Sequence, residues 1–200
     1  MTGTKQLGIV ILAGGQGKRM GGLSKALLQL DGVSFLQRIA AETVDFEERL
    51  LSANNPELAG QIGFLPVPDL LMDTGPMAGV YSALSAARSD ALLVVPCDMP
   101  LFNRELAQLM IGEWREADDA LVCVGPDGRI YPLCGIYSKN CLPAFKDSLD
   151  HHDFKMMNLL AKIKTRQLQI TEDQFANSLF SNINTWDDYQ MLENNRKDGI

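Results

Sequence analysis

The sequence predicts an α/β fold with a mostly parallel central sheet covered by helices, and three observations lead to this class. Short apolar runs alternate with amphipathic segments of helical period along most of the chain. Residues 7–12 and 91–95 are apolar without polar alternation, which is typical of parallel strands buried on both faces. A glycine-rich segment directly follows the first of these runs, at the place where open α/β sheets bind ligands.

The first half of the chain predicts a strand, a loop and a helix as its opening unit. Residues 27–32 indicate a short extended piece that ends in an Asp-Gly turn, and Ser34 is placed to cap the amphipathic helix that follows. Further apolar runs predict strands at residues 49–52, 64–67 and 91–95. A helix is predicted over residues 77–87, between the last two of these strands.

The second half predicts a hairpin-like excursion of the sheet. Two extended segments, residues 121–124 and 130–137, flank the turn sequence of residues 125–129. The remaining segments predict helices over residues 142–149 and 154–163, a strand over 166–170 and a last helix after Thr185. No linker-like stretch interrupts this order, so we expect residues 1–200 to form a single domain.

Composition and charge exclude several classes of protein. The chain has 200 residues and a formal net charge of -7, so no general attraction to nucleic acid or to anionic lipid is expected. Its four cysteines form no C-x-x-C pair and lie in or beside apolar segments, which favours buried free thiols in a reducing, cytoplasmic compartment. The N-terminal apolar run is too short to span a bilayer and leads into the glycine loop, so we expect neither a signal peptide nor an anchor.

The glycine-rich segment after the first apolar run predicts a site for a nucleoside triphosphate. Its glycines let backbone N–H groups approach phosphate oxygens without a Cβ in the way, and Lys18, Arg19 and Lys25 supply positive charge. A Walker A loop would need a glycine where Leu12 stands and a Ser or Thr where Arg19 stands. A dinucleotide fingerprint fails as well, because Met20 occupies the position of its third glycine. A glycine-rich connection with solvated lysines is the alternative.

Asp98 directly follows the buried run of residues 91–95 and lies between two prolines. Strand ends in such sheets point into the ligand crevice. A carboxylate that faces a triphosphate there is suited to hold Mg2+, which prefers oxygen ligands and commonly takes one or two carboxylates. The alternative is a structural aspartate that caps a helix predicted around residues 103–110.

Asp69 likewise ends an apolar run, and residues 73–79 place glycines and a proline at the start of a helix. A helix N-terminus beside a bound nucleotide is suited to receive phosphate or ribose hydroxyls. A plain turn is the alternative for Gly75.

Together these motifs resemble one family, the molybdenum cofactor guanylyltransferases of the wider nucleotidyltransferase group. The resemblance covers nearly the whole chain in order and is carried by the glycine loop and by residues 75–79, 96–100 and 182–185. It implies a three-layer Rossmann-like nucleotidyltransferase fold with the hairpin-like excursion in its second half. In that family the pattern L-A-G-G-x-x-x-R-M-G-G-x-x-K binds GTP, and it is matched here by Leu12, Ala13, Gly14, Gly15, Arg19, Met20, Gly21, Gly22 and Lys25.

The resemblance also implies roles for individual residues. Arg19, Lys25 and Asp98 are implied to be catalytic, with Asp98 holding Mg2+. The implied GTP-binding residues are Leu12, Ala13, Gly14, Gly15, Lys25, Ser52, Asn54, Asp69, Gly75 and Asp98. The implied molybdopterin-binding residues are Gly79, Arg129, Tyr131, Pro132, Lys155, Asn182 and Asn184.

Two departures from the family pattern fall on the molybdopterin side. The family's G-x-R-x-H-P-L stretch appears as residues 128–133, with Tyr131 in place of the common histidine. The family also favours paired basic residues where this chain has Phe154 and Lys155. The GTP pattern is not affected by either departure.

The reaction that the resemblance implies is attack by the terminal phosphate of molybdopterin on the α-phosphorus of GTP, which releases pyrophosphate and leaves a guanine dinucleotide. GTP and molybdopterin would be the substrates, Mg2+ the cofactor, and molybdenum-insertion proteins and apo-molybdoenzymes the protein partners. One alternative is a CTP-dependent or sugar-phosphate nucleotidyltransferase, although Gly14-Gly15 follows the guanylyl pattern rather than the L-A-A-G of members that use CTP. Another is a non-catalytic carrier of the cofactor, against which the intact set of Arg19, Lys25 and Asp98 argues.

Overall fold

The computed structural model describes residues 7–14, 24–68, 74–171, 175 and 182–197. In this part of the chain a seven-stranded sheet is flanked by helices, so the predicted α/β class is confirmed. The strands are β1 (Leu7–Leu12), β2 (Gln29–Leu30), β3 (Val33–Ser34), β4 (Arg49–Ser52), β5 (Leu65–Val67), β6 (Ala91–Pro96), β7 (Ala120–Val124), β8 (Ile130–Ser138) and β9 (Thr165–Gln169). The helices are α1 (Phe35–Glu42), α2 (Glu57–Ile62), α3 (Pro76–Ala86), α4 (Arg104–Glu113), α5 (Leu142–Asp150), α6 (Met156–Lys162) and α7 (Trp186–Lys197), with 3-10 helices at Lys25–Leu27 and Lys139–Cys141. None of these helices is long and apolar enough to cross a membrane.

The strands of the main sheet lie in the order β5-β4-β1-β6-β8-β7-β9, and β2 and β3 form a separate hairpin. Neighbouring strands are parallel except at β8, which runs antiparallel to both β6 and β7. The predicted hairpin-like excursion is therefore the β7–β8 pair, inserted within the sheet. Its turn contains Gly128, whose φ of 77° is readily adopted by a residue without a Cβ.

The carboxyl ends of the central strands meet at one edge of the sheet. Leu12, the last residue of β1, lies opposite Ser52 at the end of β4 and opposite Pro96 at the end of β6. The chain passes from β1 to β4 and β5 on one side and returns to β6 on the other, so β1 and β6 flank a topological switch point. Because β8 runs in the opposite direction, its first residues lie at this same edge.

Alternate residues of β1 point to opposite faces of the sheet and pack on different helices. Ile9 and Ile11 belong to an apolar cluster that draws its helical residues mainly from α1, α2 and α4. Val10 and Leu12 belong to a second cluster formed with α3, α5 and α6. The sheet is therefore the middle of three layers, as the resemblance implied.

The Asp-Gly turn and the helix cap predicted after the glycine loop are both present. Asp31 and Gly32 have φ of 54° and 76°, as expected for the two central residues of a type I′ turn. Ser34 accepts a hydrogen bond from the Gln37 N–H, and the Gln37 side chain accepts one from the Ser34 N–H. This capping box connects the β2–β3 hairpin rigidly to α1.

A bulge interrupts the ladder between β7 and β8. Val122 pairs with Gly135, whereas the next residue, Cys123, pairs with Tyr131, so residues 132–134 stand outside the ladder.

Gly135 lies where β7 closely approaches β8. A Cβ at this position would lie 2.8 Å from the Leu121 carbonyl oxygen, so the close approach requires glycine. On the other side of β8, Gly135 pairs with Val94, and this is the last pair of the β6–β8 ladder. β6 itself continues to Pro96.

Glu48 is enclosed at the opposite, amino-terminal edge of the sheet, just before β4. Its carboxylate accepts hydrogen bonds of 2.7 Å from the backbone N–H groups of Arg88 and Ser89, in the segment that leads into β6. Burial raises the pKa of Glu48, but these hydrogen bonds and the charge of Arg88 outweigh burial, so the pKa lies below its usual value.

The Glu48→Gln variant is expected to be less stable by about 2 kcal/mol at neutral pH, because an amide offers one acceptor oxygen where the carboxylate offers two. A carboxyl whose pKa is lowered by folding stabilises the fold above its unfolded pKa of about 4.3, and this contribution is lost as the pH falls through the folded pKa. The difference between parent and variant in the free energy of unfolding by urea should therefore shrink in acid. Glu47→Gln, at the exposed neighbour, is the control. A Glu48→Gln deficit that stays constant from neutral to acid pH would contradict this account.

Candidate active site

The candidate active site lies at the edge where β1, β4 and β6 end. The backbone continues its hydrogen bonding into the loops: the Ala13 N–H donates to the Ser52 carbonyl at 2.7 Å, and the Cys97 N–H donates to the Leu12 carbonyl at 2.9 Å. Leu12 and Ser52 are buried, Ala13 is half-buried and Gly14 is exposed, so the chain emerges from the core as the glycine loop begins. Seven residues of the sequence motifs lie outside the described residues: Gly15, Lys18, Arg19, Met20, Gly21, Gly22 and Asp69.

Three polar side chains from distant parts of the chain meet at this edge. The Lys25 ammonium lies 2.8 Å from Asn184 Oδ1 and 3.3 Å from Asp98 Oδ2. Asp98 is 73 residues from Lys25 along the chain, and Asn184 is 159 residues away. The Lys25 and Asp98 side chains keep 22% and 21% of their surface exposed, so the pair is shielded from bulk water yet open to a ligand.

Asp98 is held by the strand before it and by a contact from the C-terminal part of the chain. Its carbonyl accepts a hydrogen bond of 2.9 Å from the Ile183 N–H. Burial raises the pKa of the Asp98 carboxyl, and the charge of Lys25 offsets only part of that effect. The helix cap that was the alternative role for Asp98 is instead Asn103, whose side chain accepts an N–H of the first turn of α4.

The thiol of Cys97, beside Asp98, is not a candidate nucleophile. All four cysteines are buried and free, as predicted. Burial raises the pKa of Cys97 to about 12, so the thiol stays protonated at neutral pH.

The segment that carries Asn184 is fixed on both sides. Ile183 is buried in an apolar cluster with Leu28, Leu30 and Phe35. Asp188 accepts hydrogen bonds from the N–H groups of Asn184 and Thr185, at 2.9 and 2.8 Å, and its own N–H donates to the Thr185 hydroxyl at 3.1 Å. Asn182 Oδ1 is buried and has no hydrogen-bond partner within the described ranges.

Asp188 belongs to none of the motifs that indicated the site. A signal for it exists in the sequence, since Thr185 followed three residues later by an acidic side chain is the pattern of a capping box. The structure adds that this cap also reaches Asn184.

The other residues predicted on the GTP side lie on the loops after β4 and before α3. Asn54 is exposed just beyond β4. Gly75 precedes α3 with a φ of 70°, and Pro76 takes the first helical position. Gly79, predicted on the molybdopterin side, is buried within α3.

The remaining residues predicted to contact molybdopterin, apart from the asparagines, lie near the start of β8 or before α6. The Arg129 guanidinium lies 5.4 Å from the centre of the Tyr131 ring, within the range of a cation–π contact. Tyr131 is buried and Arg129 is exposed, so the cation covers the ring. The Pro132 carbonyl accepts a hydrogen bond from the Tyr137 hydroxyl. Lys155 is exposed directly before α6.

Sequence and fold both relate the chain to known proteins. A family model described as a MobA-like NTP transferase domain matches residues 9–168. A protein of Flavobacterium johnsoniae named probable molybdenum cofactor guanylyltransferase is 32% identical over 185 residues, which cover 92% of this chain and 95% of the relative. Molybdopterin-guanine dinucleotide biosynthesis protein A of Archaeoglobus fulgidus has a similar structure, with a TM-score of 0.80 at 22% identity, covering 95% of this chain and 98% of that one. A protein of Mycobacterium tuberculosis H37Rv, solved in complex with manganese, gives a TM-score of 0.67 at 19% identity over 96% of this chain and 99% of that one.

Proposed function

The chain belongs to the MobA-like NTP transferase family and is a nucleotidyltransferase, and we propose that it transfers GMP from GTP to the terminal phosphate of molybdopterin. An oxygen of that phosphate attacks the α-phosphorus of GTP, the bond from the α-phosphorus to the β-phosphate oxygen breaks, and pyrophosphate leaves. The observation that carries the proposal is the Lys25 ammonium, held between Asp98 and Asn184 at the end of β1 and β6. The names of the relatives support the choice of GTP and molybdopterin.

Positive charge is the first requirement of this reaction, since a triphosphate enters the site and pyrophosphate leaves it as an anion. Lys25 supplies one positive charge at the edge where β1 and β6 end. Arg19 is assigned to supply a second positive charge. The backbone N–H groups of the glycine loop, including those of Gly14 and Gly15, are assigned to bind the leaving pyrophosphate. The attacking phosphate is already anionic, so the reaction needs neither a protein nucleophile nor a general base.

Asp98 is assigned to hold Mg2+, and the surroundings of its carboxylate fit a hard cation. Carboxylate oxygen is a preferred Mg2+ ligand, and a partly buried anion whose pKa is raised gains from a further positive charge. The described part of the chain contains no group of three or more His, Cys, Asp or Glu side chains that could hold a metal. Substrate phosphate would supply further ligands, since Mg2+ commonly takes one or two carboxylates together with substrate phosphates. When bound, it supplies charge neutralisation and orientation at the α-phosphate.

The two substrates are assigned to different parts of the edge. Exposed Asn54 beyond β4 has an amide that can both donate and accept, as the edge of a guanine base requires. Exposed Arg129 at the start of β8 offers a planar cation to phosphate or pterin. Guanosine is assigned to Ser52, Asn54, Asp69 and Gly75, and molybdopterin to Gly79, Arg129, Tyr131, Pro132, Lys155, Asn182 and Asn184.

The test is pyrophosphate release by the purified protein with Mg2+, molybdopterin and one nucleotide at a time. We expect GTP to exceed CTP in kcat/KM by about 10²-fold or more, because a site that hydrogen-bonds one base leaves polar groups unpaired with another. A preference for CTP would reverse the nucleotide assignment. Pyrophosphate release with sugar phosphates in place of molybdopterin would contradict the assignment of molybdopterin as the acceptor. Tight binding of molybdopterin or its dinucleotide without pyrophosphate release would identify a carrier.

A further inference from the structure

The orientation of Lys25 depends on Asn184. Asn184 lies outside the helices and strands, just before α7. Its Oδ1 is the nearer of the two acceptors of Lys25, at 2.8 Å against 3.3 Å for Asp98. A shift of the backbone at Asn184 would therefore move the closer partner of the lysine.

Asp188 is the side chain that holds this backbone. A single carboxylate oxygen, Oδ2, accepts the N–H of Asn184 at 2.9 Å and the N–H of Thr185 at 2.8 Å. The Thr185 hydroxyl accepts the Asp188 N–H at 3.1 Å and closes the capping box of α7. A capping box alone requires only the contacts between Thr185 and Asp188. The bond to Asn184 is an addition that acts on the residue touching Lys25.

The charge of Asp188 matches this role. The hydrogen bond from the Asn184 backbone is the main cause that lowers the pKa of Asp188, and the positive charge of Lys25 lowers it further. The carboxylate is therefore ionised throughout the neutral range and keeps its acceptor oxygen.

We propose that Asp188 is a positioning residue of the active site, which fixes the backbone of Asn184 so that Asn184 holds the Lys25 ammonium beside Asp98. The catalytic meaning of this contact rests on the proposed function, in which Lys25 binds phosphate. The contact itself, from Asp188 through Asn184 to Lys25, does not depend on the substrate.

Three variants test the positioning role. Asp188→Ala removes both hydrogen bonds to the backbone, whereas Asp188→Asn keeps one acceptor oxygen. Asp187→Ala is the matched control, because Asp187 is an exposed acidic residue in the same first turn of α7. We expect Asp188→Ala to lower the kcat of pyrophosphate release by about 10-fold, which is less than the roughly 10²-fold loss that a misplacement of about 1 Å can cause. Asp188→Asn should recover part of this loss, and Asp187→Ala should behave as the parent.

A double-mutant cycle with Asn184→Ala separates positioning from helix stability. If Asp188 acts through the Asn184 side chain, Asp188→Ala causes no further loss of kcat in the Asn184→Ala protein, although it lowers the melting temperature in both proteins. An equal loss of kcat in both backgrounds overturns the inference. So does an Asp188→Ala protein that turns over as fast as Asp187→Ala.

A spectroscopic readout keeps the inference distinct from the proposed reaction. The 15Nζ NMR resonance of Lys25 is identified by its absence from the spectrum of Lys25→Arg. Without any nucleotide added, this resonance is expected to shift in Asp188→Ala and to stay in place in Asp187→Ala. Should Asp188→Ala fail to fold, Asp188→Asn gives the same comparison with a smaller shift. A shift in a protein that transfers no GMP supports the positioning role and refutes the proposed function. An unchanged resonance refutes the positioning role even if the parent is active.

Discussion

The Lys25→Ala protein is expected to lose about 10²-fold or more in kcat for GMP transfer, the loss found when one preorganised electrostatic group is removed. Lys25 is preorganised because two acceptors already fix its ammonium before substrate arrives. The loss should appear in kcat and not only in KM, since negative charge on the departing pyrophosphate grows toward the transition state. Initial rates of pyrophosphate release over a range of GTP concentrations measure both quantities.

The controls for Lys25 separate its charge from its position. Lys25→Arg keeps the charge but changes the shape of the donor, so we expect it to retain part of the activity. Lys146→Ala removes an exposed lysine paired with Asp150 within α5 and should leave turnover unchanged. Near-normal turnover of a folded Lys25→Ala protein would remove Lys25 from the catalytic set.

The second large effect is expected at Asp98, where Asp98→Ala and Asp98→Asn should also lower kcat by about 10²-fold or more. Both variants lose the carboxylate that is assigned to Mg2+. Their residual activity should therefore require a higher Mg2+ concentration. The pKa of Asp98 is raised by folding, which means that its ionisation at neutral pH costs the folded chain free energy. In EDTA, therefore, Asp98→Asn should melt no lower than the parent.

Asp90→Asn is the matched control for Asp98, because Asp90 is exposed just before the other end of the same strand, β6. It should keep the activity and the Mg2+ dependence of the parent. An Asp98→Asn protein with an unchanged Mg2+ requirement would refute the metal assignment. A large fall in its melting temperature in EDTA would instead assign Asp98 to structure.

Local signals in the sequence were sufficient to predict most of the elements. The apolar runs at residues 7–12 and 91–95 form β1 and β6, which are buried almost throughout and need no polar alternation. The Asp-Gly turn and the cap at Ser34 depend only on near neighbours. The predicted helix over 154–163 begins instead at Met156, because the backbone of Lys155 is extended.

Contacts between distant segments could not be predicted in this way. The motifs nominated Lys25, Asp98 and Asn184 one by one, but their meeting depends on β6 lying next to β1 and on the return of residues 182–185 to the same edge. The bulge in β8 depends on a close approach to β7 that no local pattern near Gly135 specifies. The bond from Asp188 to Asn184 likewise depends on the path of the backbone between them.

The β6–β8 ladder ends before the site is reached, with Val94 and Gly135 as its last pair. Beyond that pair, Val95 and Cys134 are both buried in one apolar cluster between the strands and the helices. Backbone hydrogen bonds would hold the strands at a fixed separation of about 4.8 Å, whereas packed side chains can be exchanged for larger or smaller ones. Beyond the ladder, the separation of β6 from the start of β8 therefore depends on side-chain volume. Core substitutions that never touch a substrate can widen or narrow it.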